Sequence, residues 1–479
     1  MSPNSKHNPE PQSANNLLAA QAHANFNEAL ALHQRGALKE AQAIYLDILK
    51  KQPTHCESLH LLGVIAHQTN NHQLAVDLIG KAIDLCPHNA AFYNNRGIAL
   101  KNLKQLDAAV ASYDKAISLN PDYADAYYNR GIALKALNQL DAAVASYDKA
   151  ISLNPNHTEV YWNKSLALLL SGDYENGWKH YEWRWKKDDM VKRERTYAKP
   201  LWLGTESLQD QTIVLHAEQG LGDTIQFSRY AKIVADLGAR VILEVQKPLT
   251  GLFETLEGVT KLIAKGDALS PFDYHCPLLS LPLACKTTIT TIPRSTFYLR
   301  SDPAKVAHWL QRLGTKTKPR VGLVWNGGFR PNKPEIWQEN ERRNMPVQKL
   351  CMLKPFNLMW VSLQKGDPAE TEFKQLQQVG WDGPDILNCT DDLKDFSDTA
   401  ALIGTLDLVI TVDTATAHLA GALGKPVWLL NRFDSCWRWL LEREDTPWYP
   451  SMRIYRQPTL GDWDSVIQRV CNDLNKQFF

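Results

Sequence analysis

Two short segments in the second half of the chain carry residues whose types and spacing suit group-transfer chemistry. The first reads Ala217-Glu-Gln-Gly-Leu-Gly-Asp-Thr224 and follows the apolar run Ile213–His216. Gly220 and Gly222 let the backbone approach a ligand closely, and a helix starting here offers N–H groups at its N-terminus. Asp223 stands at that helix start, where capping the helix and catalysis are not exclusive. Glu244 closes the next strand about twenty residues on, as in a dinucleotide fingerprint. However, Ile225 stands where Gly-x-Gly-x-x-Gly requires its third glycine.

The second segment follows the run Asp407–Val412 and contains Asp413, Thr414, Ala415, Thr416, Ala417 and His418. Small residues and hydroxyls at a helix start make a diphosphate site, because the amide dipoles point at the negative charge. His418, in the first turn, can donate to a phosphate oxygen or pack. Between these segments, Glu341-Arg-Arg-Asn-Met345 supplies Arg342 and Arg343, and Lys365 follows the run Leu358–Leu363. Each cation can meet a phosphate; the arginines can also solvate a surface loop. Trp437 and Trp439 can stack a base or sugar, or fill a core. The pair Asp462 and Asp464 beside the last helix reads as capping rather than metal binding. His-Glu-x-x-His and Gly-x-x-x-x-Gly-Lys-[Ser/Thr] are both absent, so zinc-hydrolase and P-loop readings lapse.

These segments need rigid elements to bring them together. From Pro200 onward, apolar runs of strand length at Ile213–His216, Val241–Val245, Val321–Trp325, Leu358–Leu363, Leu408–Val412 and Val427–Leu430 alternate with helical patterns such as Asp223–Leu237 and Phe396–Leu406. Such alternation predicts open parallel sheets wound on both faces, with ligands beyond the carboxyl ends of strands. The polar stretch Thr315–Arg320 is the expected hinge between two halves.

The first third of the chain has a different period. Pro53, Pro87, Pro121 and Pro155 are spaced by 34 residues, as are Ala41, Ala75, Ala109 and Ala143, and Gly63, Gly97 and Gly131. Segments Ala90–Tyr123 and Ala124–His157 differ at seven of 34 positions. This period resembles the tetratricopeptide repeat, in which small residues let paired helices approach and Pro ends each pair. About five units are expected, with degenerate ends. Asn95, Asn129 and Asn163 keep the same step on the first helix of successive repeats. A carboxamide can grip peptide groups without regard to side chain. The series is similar to the asparagine ladder of the eukaryotic O-GlcNAc transferases, which holds protein substrates. Duplication alone would also copy these residues, and both readings stand.

Composition bounds the remaining choices. A formal net charge of +1, from 53 basic and 52 acidic side chains, argues against a dedicated nucleic-acid binder. The eight cysteines are scattered without a Cys-x-x-Cys pair, which predicts reduced thiols and a cytoplasmic protein. No run of about 18 uncharged apolar residues suggests a membrane span. Residues 1–16 are polar, have no signal-peptide pattern and are expected to be disordered.

Asp223 in Gly-Leu-Gly-Asp and the Asp413-Thr-Ala-Thr-Ala-His418 turn together resemble the signature loops of the ADP-heptose:lipopolysaccharide heptosyltransferase family. With Gly322-Leu-Val-Trp325, Ser362-Leu-Gln-Lys-Gly366 and Trp437-Arg-Trp439, the region resembles the bacterial tetratricopeptide-containing branch of these transferases. The resemblance implies a GT-B fold, two Rossmann-like lobes with a cleft between them. It implies inverting, metal-independent transfer from a nucleotide-sugar donor, with no metal or other cofactor, Asp223 as general base and residues 413–418 and Arg343 at the diphosphate. Ala415 departs from the family's glycine. The expected organisation is a tail over 1–16, a solenoid over 17–190, lobes over 200–314 and 315–455, and a C-terminal helix in 456–479 crossing back to the first lobe. The acceptor would be a protein or a glycan, and the repeat groove would take a protein partner. A scaffold with vestigial transferase lobes is the alternative.

Overall fold

The computed structural model describes residues 11–191, 197–328 and 337–479, in two compact units that divide between Lys164 and Ser165. The first unit is a stack of helix pairs: α1 (Pro11–Gln34), α2 (Leu38–Lys51), α3 (Cys56–Gln68), α4 (His72–Leu85), α5 (Ala90–Asn102), α6 (Leu106–Leu119), α7 (Ala124–Ala136) and α8 (Leu140–Leu153). Helix α9 (Thr158–Ser171) carries the division between the units, well before the boundary at 190 expected from the sequence. Residues 11–16, expected in a disordered tail, lie in α1, and residues 1–10 are outside the described residues.

The small residues of the repeat do what their spacing implies. Ala41, Ala75, Ala109 and Ala143 are fully buried. A Cβ on Gly97 would lie 2.5 Å from the Tyr113 ring, and one on Gly131 would lie 2.4 Å from the Tyr147 ring. Both distances are far inside van der Waals contact, so only glycine permits these helices to pack. The expectation that every cysteine is a free thiol fails here. Cys56 at the start of α3 and Cys86 at the end of α4 form a disulfide, with Cα atoms 6.3 Å apart. An antiparallel helix pair returns its second end to its first, which spacing along the chain does not reveal.

The second unit contains β1 (Thr212–His216), β2 (Arg240–Val245), β3 (Val259–Ala264), β4 (Tyr274–Pro277), β5 (Arg320–Val324), β6 (Met359–Ser362), β7 (Ile386–Asn388), β8 (Leu408–Val412), β9 (Val427–Asn431) and β10 (Met452–Arg456). All pair in parallel, in one sheet of order β3-β2-β1-β4 and another of order β10-β9-β8-β5-β6-β7. The second order, read from β7, is the 3-2-1-4-5-6 winding of a doubly wound α/β sheet. The helical pattern Asp223–Leu237 is realised as two short helices, Leu221–Phe227 and Tyr230–Asp236.

The C-terminal helix, Trp463–Phe478, does not cross to the first sheet. Its Val466, Ile467, Val470 and Leu474 are buried in the core built on β5, β6 and β8. Its polar face is capped by Asp462, which accepts from the Ser465 amide at 3.0 Å, while Asp464 pairs with Lys349 at 2.5 Å. Both acids therefore have structural partners. Among the described residues, no helix is long and apolar enough to cross a membrane.

Candidate functional site

In each sheet the winding reverses once, between β1 and β4 and between β5 and β8. A reversal leaves neighbouring loops running in opposite directions and opens a crevice at the carboxyl ends of the strands. The glycine-rich segment leaves β1, and the threonine-rich segment leaves β8. Both sequence-derived loops thus stand at switch points.

The helix Leu221–Phe227 starts from Gly220, whose backbone is extended, and Asp223 is its third residue. Asp223 Oδ2 accepts the Gly220 N–H at 2.9 Å, so the capping role open at the sequence level is present. The Oδ1 atom accepts from the Arg438 guanidinium. The carboxylate is held on both oxygens, and its side chain is 22% exposed.

Arg438 lies in the turn Trp437–Trp439 that follows β9. Its Nε donates to Gln226 Oε1 at 2.6 Å, its Nη1 to Cys436 Sγ at 3.3 Å, and its guanidinium lies 4.3 Å from the Trp437 ring centroid. Charge, hydrogen bonds and a cation–π contact together fix this buried cation. The sequence displays Arg438 only as the middle of Trp437-Arg-Trp439, and nothing near it in the chain signals a carboxylate 215 residues away.

The second loop is as regular as its composition suggests. Thr414 is the N-cap of the helix Ala415–Ala422, and its hydroxyl lies 3.1 Å from that of Thr411. Ala415 is the first helical residue, so glycine's conformational freedom is not required there. Asp413, Thr414, Ala415 and Thr416 are partly exposed, whereas Ala417 and His418 are buried.

His418 is 4% exposed, stacks on Trp439 with centroids 5.3 Å apart, and its Nδ1 lies 2.8 Å from Tyr449 Oη. Burial first, then the nearby Arg438 charge, lowers its pKa to about 3. The ring is therefore neutral, and its 4.0 Å approach to Asp413 Oδ1 is not an ion pair.

The two loops meet. A Cβ on Gly222 would lie 2.9 Å from His418 Cδ2 and 3.3 Å from Ala415 Cα. Gly222 is thus a contact glycine between the helix starts, and Asp223 shares one neighbourhood with residues 415 and 418. The cations expected at the diphosphate each have protein partners. Arg343 packs its guanidinium against Gly327 after β5, where a Cβ would lie 2.3 Å from Nη2, and donates to Asn340 Oδ1 at 2.7 Å. Arg342 pairs with Asp434 at 2.9 Å. Lys365 Nζ, read as a phosphate contact, donates to the carbonyls of Thr390 and Leu393. Its charge is engaged with the turn after β7.

The asparagine series in the first unit is also engaged. Asn95 Nδ2 lies 2.8 Å from His60 Nε2, Asn129 Nδ2 donates to Asn94 Oδ1 at 3.0 Å, and Asn163 Nδ2 donates to Tyr128 Oη at 3.1 Å. Each bond joins residue i to i−35, so the same contact recurs between successive first helices. The amide donors stitch repeats together.

Residues 124–157 and 57–89 match the family described as tetratricopeptide repeat, as do residues 78–111, and residues 99–137 match the TPR repeat description. Protein FlbA from Caulobacter vibrioides is 30% identical over 333 residues, which cover 64% of this chain and 53% of that protein. The chain thus spans about half the length of that curated relative. Crystalline MamA is similar at 26% identity, over 35% of this chain and 97% of that one, with a TM-score of 0.32. YrrB, described as a TPR protein with an unusual peptide-binding site, matches at 19% identity over 35% of this chain and 89% of its own, with a TM-score of 0.31. Residues 57–157 of the chain are tetratricopeptide repeats.

Proposed function

We propose that the second unit is an inverting, metal-independent glycosyltransferase of GT-B type, whose two sheets form lobes around a shared nucleotide-sugar site. The observation that carries this reading is the contact of Gly222 with Ala415 and His418, which sets a fixed carboxylate beside a helix N-terminus. A nucleoside diphosphate docks its phosphates on the first-turn amides of the helix Ala415–Ala422, with Thr414 and Thr416 hydroxyls beside them. Asp223 takes the proton of an acceptor hydroxyl as that oxygen attacks the anomeric carbon. The bond from that carbon to the diphosphate breaks, and its electron pair leaves on the nucleotide. Arg438 holds Asp223 in place, and buried neutral His418 serves as the wall between the loops. Arg343, the last residue of the helix Trp337–Arg343, completes the donor side.

The repeats recruit the acceptor or a protein partner. Engagement of the Nδ2 donors of Asn95, Asn129 and Asn163 within the solenoid favours a partner read by other groove residues over a free carboxamide ladder. Incubation with ADP-, GDP-, UDP-, CDP- and TDP-sugars, with release of nucleoside diphosphate followed in EDTA, tests the reading. Release from one donor class that Asp223→Asn reduces by at least about 100-fold is expected. No release from any of them would favour the vestigial-scaffold alternative.

A further inference from the structure

A buried tyrosine holds one end of the His418 ring. Tyr449 lies between β9 and β10 and is 1% exposed. A Cβ on Gly421 would lie 2.5 Å from its Cδ1, so the helix Ala415–Ala422 accepts this phenol only where it carries a glycine. The Arg229 guanidinium sits 4.7 Å from the centroid of the Tyr449 ring and is itself anchored on the Trp448 carbonyl at 2.7 Å. Packing on these two sides fixes the ring, and with it the position of the hydroxyl.

That hydroxyl lies 2.8 Å from His418 Nδ1. Tyr298, the other phenol within reach of Tyr449, already donates to the Ile225 carbonyl at 2.9 Å and accepts from Arg229 at 3.1 Å. The open acceptor for the Tyr449 proton is therefore Nδ1.

The far side of the ring makes the same selection. Gly222 faces the Cδ2 edge, and Nε2 lies 4.0 Å from Asp413 Oδ1, too far for a hydrogen bond. An Nδ1–H ring would turn the Nε2 lone pair on that carboxylate, whereas an Nε2–H ring turns a donor on it. Which ring nitrogen carries the proton follows from the bond made by the other. Tyr449 and Asp413 both favour Nε2–H, and the stack on Trp439, with centroids 5.3 Å apart, holds the ring plane. Asp413 directly precedes the N-cap Thr414, so the donor faces the start of the same helix.

We infer that Tyr449 is a positioning residue that fixes His418 as an Nε2–H donor at the start of the helix Ala415–Ala422, adding one hydrogen bond to a bound diphosphate. The identity of that ligand rests on the nucleotide-sugar reading; the tautomer is a property of the free protein.

Two measurements on the full chain test it. Nitrogen NMR with isotope-labelled histidine, the His418 signals being identified by their loss in His418→Phe, should show Nε2 protonated and Nδ1 unprotonated at neutral pH. Tyr449→Phe, which removes only the hydroxyl, should shift the Nδ1 signal downfield as that nitrogen loses its donor. The reverse tautomer in the parent, or an unmoved Nδ1 signal in the variant, overturns the assignment. Calorimetry with ADP, GDP, UDP, CDP and TDP reads the consequence. For whichever of them binds, Tyr449→Phe and His418→Phe should each weaken affinity at least about tenfold, and the double variant no more than the more severe single one. A tyrosine that merely supports the fold would give losses that add, so additive losses, or full affinity in Tyr449→Phe, also overturn it. Melting curves identify a variant that fails to fold, and His418→Asn then replaces His418→Phe. No binding of any diphosphate by the parent overturns the transferase reading, and the ring signals alone then support or overturn the role of Tyr449.

Discussion

Arg438 donates to the Asp223 carboxylate, joining the turn after β9 to the first helical turn after β1. The pair connects elements of the two parallel sheets, and both partners are mostly buried, with side-chain exposures of 11% and 22%.

Removing the cation leaves the carboxylate without its counter-charge. Arg438→Ala should destabilise the second unit toward the lower end of the roughly 3–5 kcal/mol seen for broken buried pairs, because Asp223 keeps some solvent. Arg438→Lys keeps the charge but loses the bond to Gln226 and the planar stack on Trp437, so an intermediate loss is expected. Urea unfolding of the three proteins measures both, and equal midpoints would contradict the pairing.

The i to i−35 bonds of the asparagine series predict a stability role. Asn95→Ala strands His60 Nε2, and Asn129→Ala strands Asn94 Oδ1. Each should cost about 1 kcal/mol of solenoid stability. Hydrogen exchange of α3, α5 and α7 amides reads this directly. Unaltered protection together with lost partner binding would restore the free-ladder reading.

The disulfide in the second repeat closes a loop of sequence separation 30. The chain-entropy relation gives about 3–4 kcal/mol for such a loop. Dithiothreitol, or Cys86→Ser, should therefore lower the solenoid's melting temperature, whereas the same treatment of Cys56→Ser should add nothing further.

Acid should weaken the solenoid through His60. Burial lowers its pKa to about 4, below the ordinary 6.5. Between those values the unfolded chain binds a proton that the folded chain does not, so this contribution to stability falls as pH falls. The limiting slope is about 1.4 kcal/mol per pH unit. In the second unit His418 acts in the same direction, with a folded pKa of about 3. Glu218, raised to about 7 from 4.5, acts oppositely, since its folded form holds the proton longer. The two offset one another between about pH 4.5 and 6.5. Denaturant melts between pH 7 and 4.5 should therefore show α3–α5 losing protection first, and His60→Gln should flatten that dependence.

The six predicted strands are all present because each is a compact apolar run, and the 34-residue period is visible because duplication preserved it. The unseen strands are short or mixed: β4 is Tyr-His-Cys-Pro, and β3 places Thr260 and Lys261 at exposed positions. Asp223 and His418 stand out in the sequence because local loop chemistry marks them, and the fold brings their loops into contact through Gly222. Arg438 and Tyr449 do not, since their contacts with Asp223 and His418 are made only by the folded sheets. Lys365 shows what the sequence leaves out. Its placement after a strand suggests a phosphate contact, and the fold also brings two carbonyls of the turn after β7 to its ammonium.

The central claim is that the loops after β1 and β8 form one nucleotide site. Calorimetric titration of the full chain with nucleoside diphosphates in EDTA tests it most directly, beside the variant Gly222→Val, whose side chain would push against His418 and Ala415. The account predicts that one nucleotide binds without metal and that folded Gly222→Val loses at least about tenfold in affinity. Absence of binding by every diphosphate, or full affinity in the variant, would contradict it.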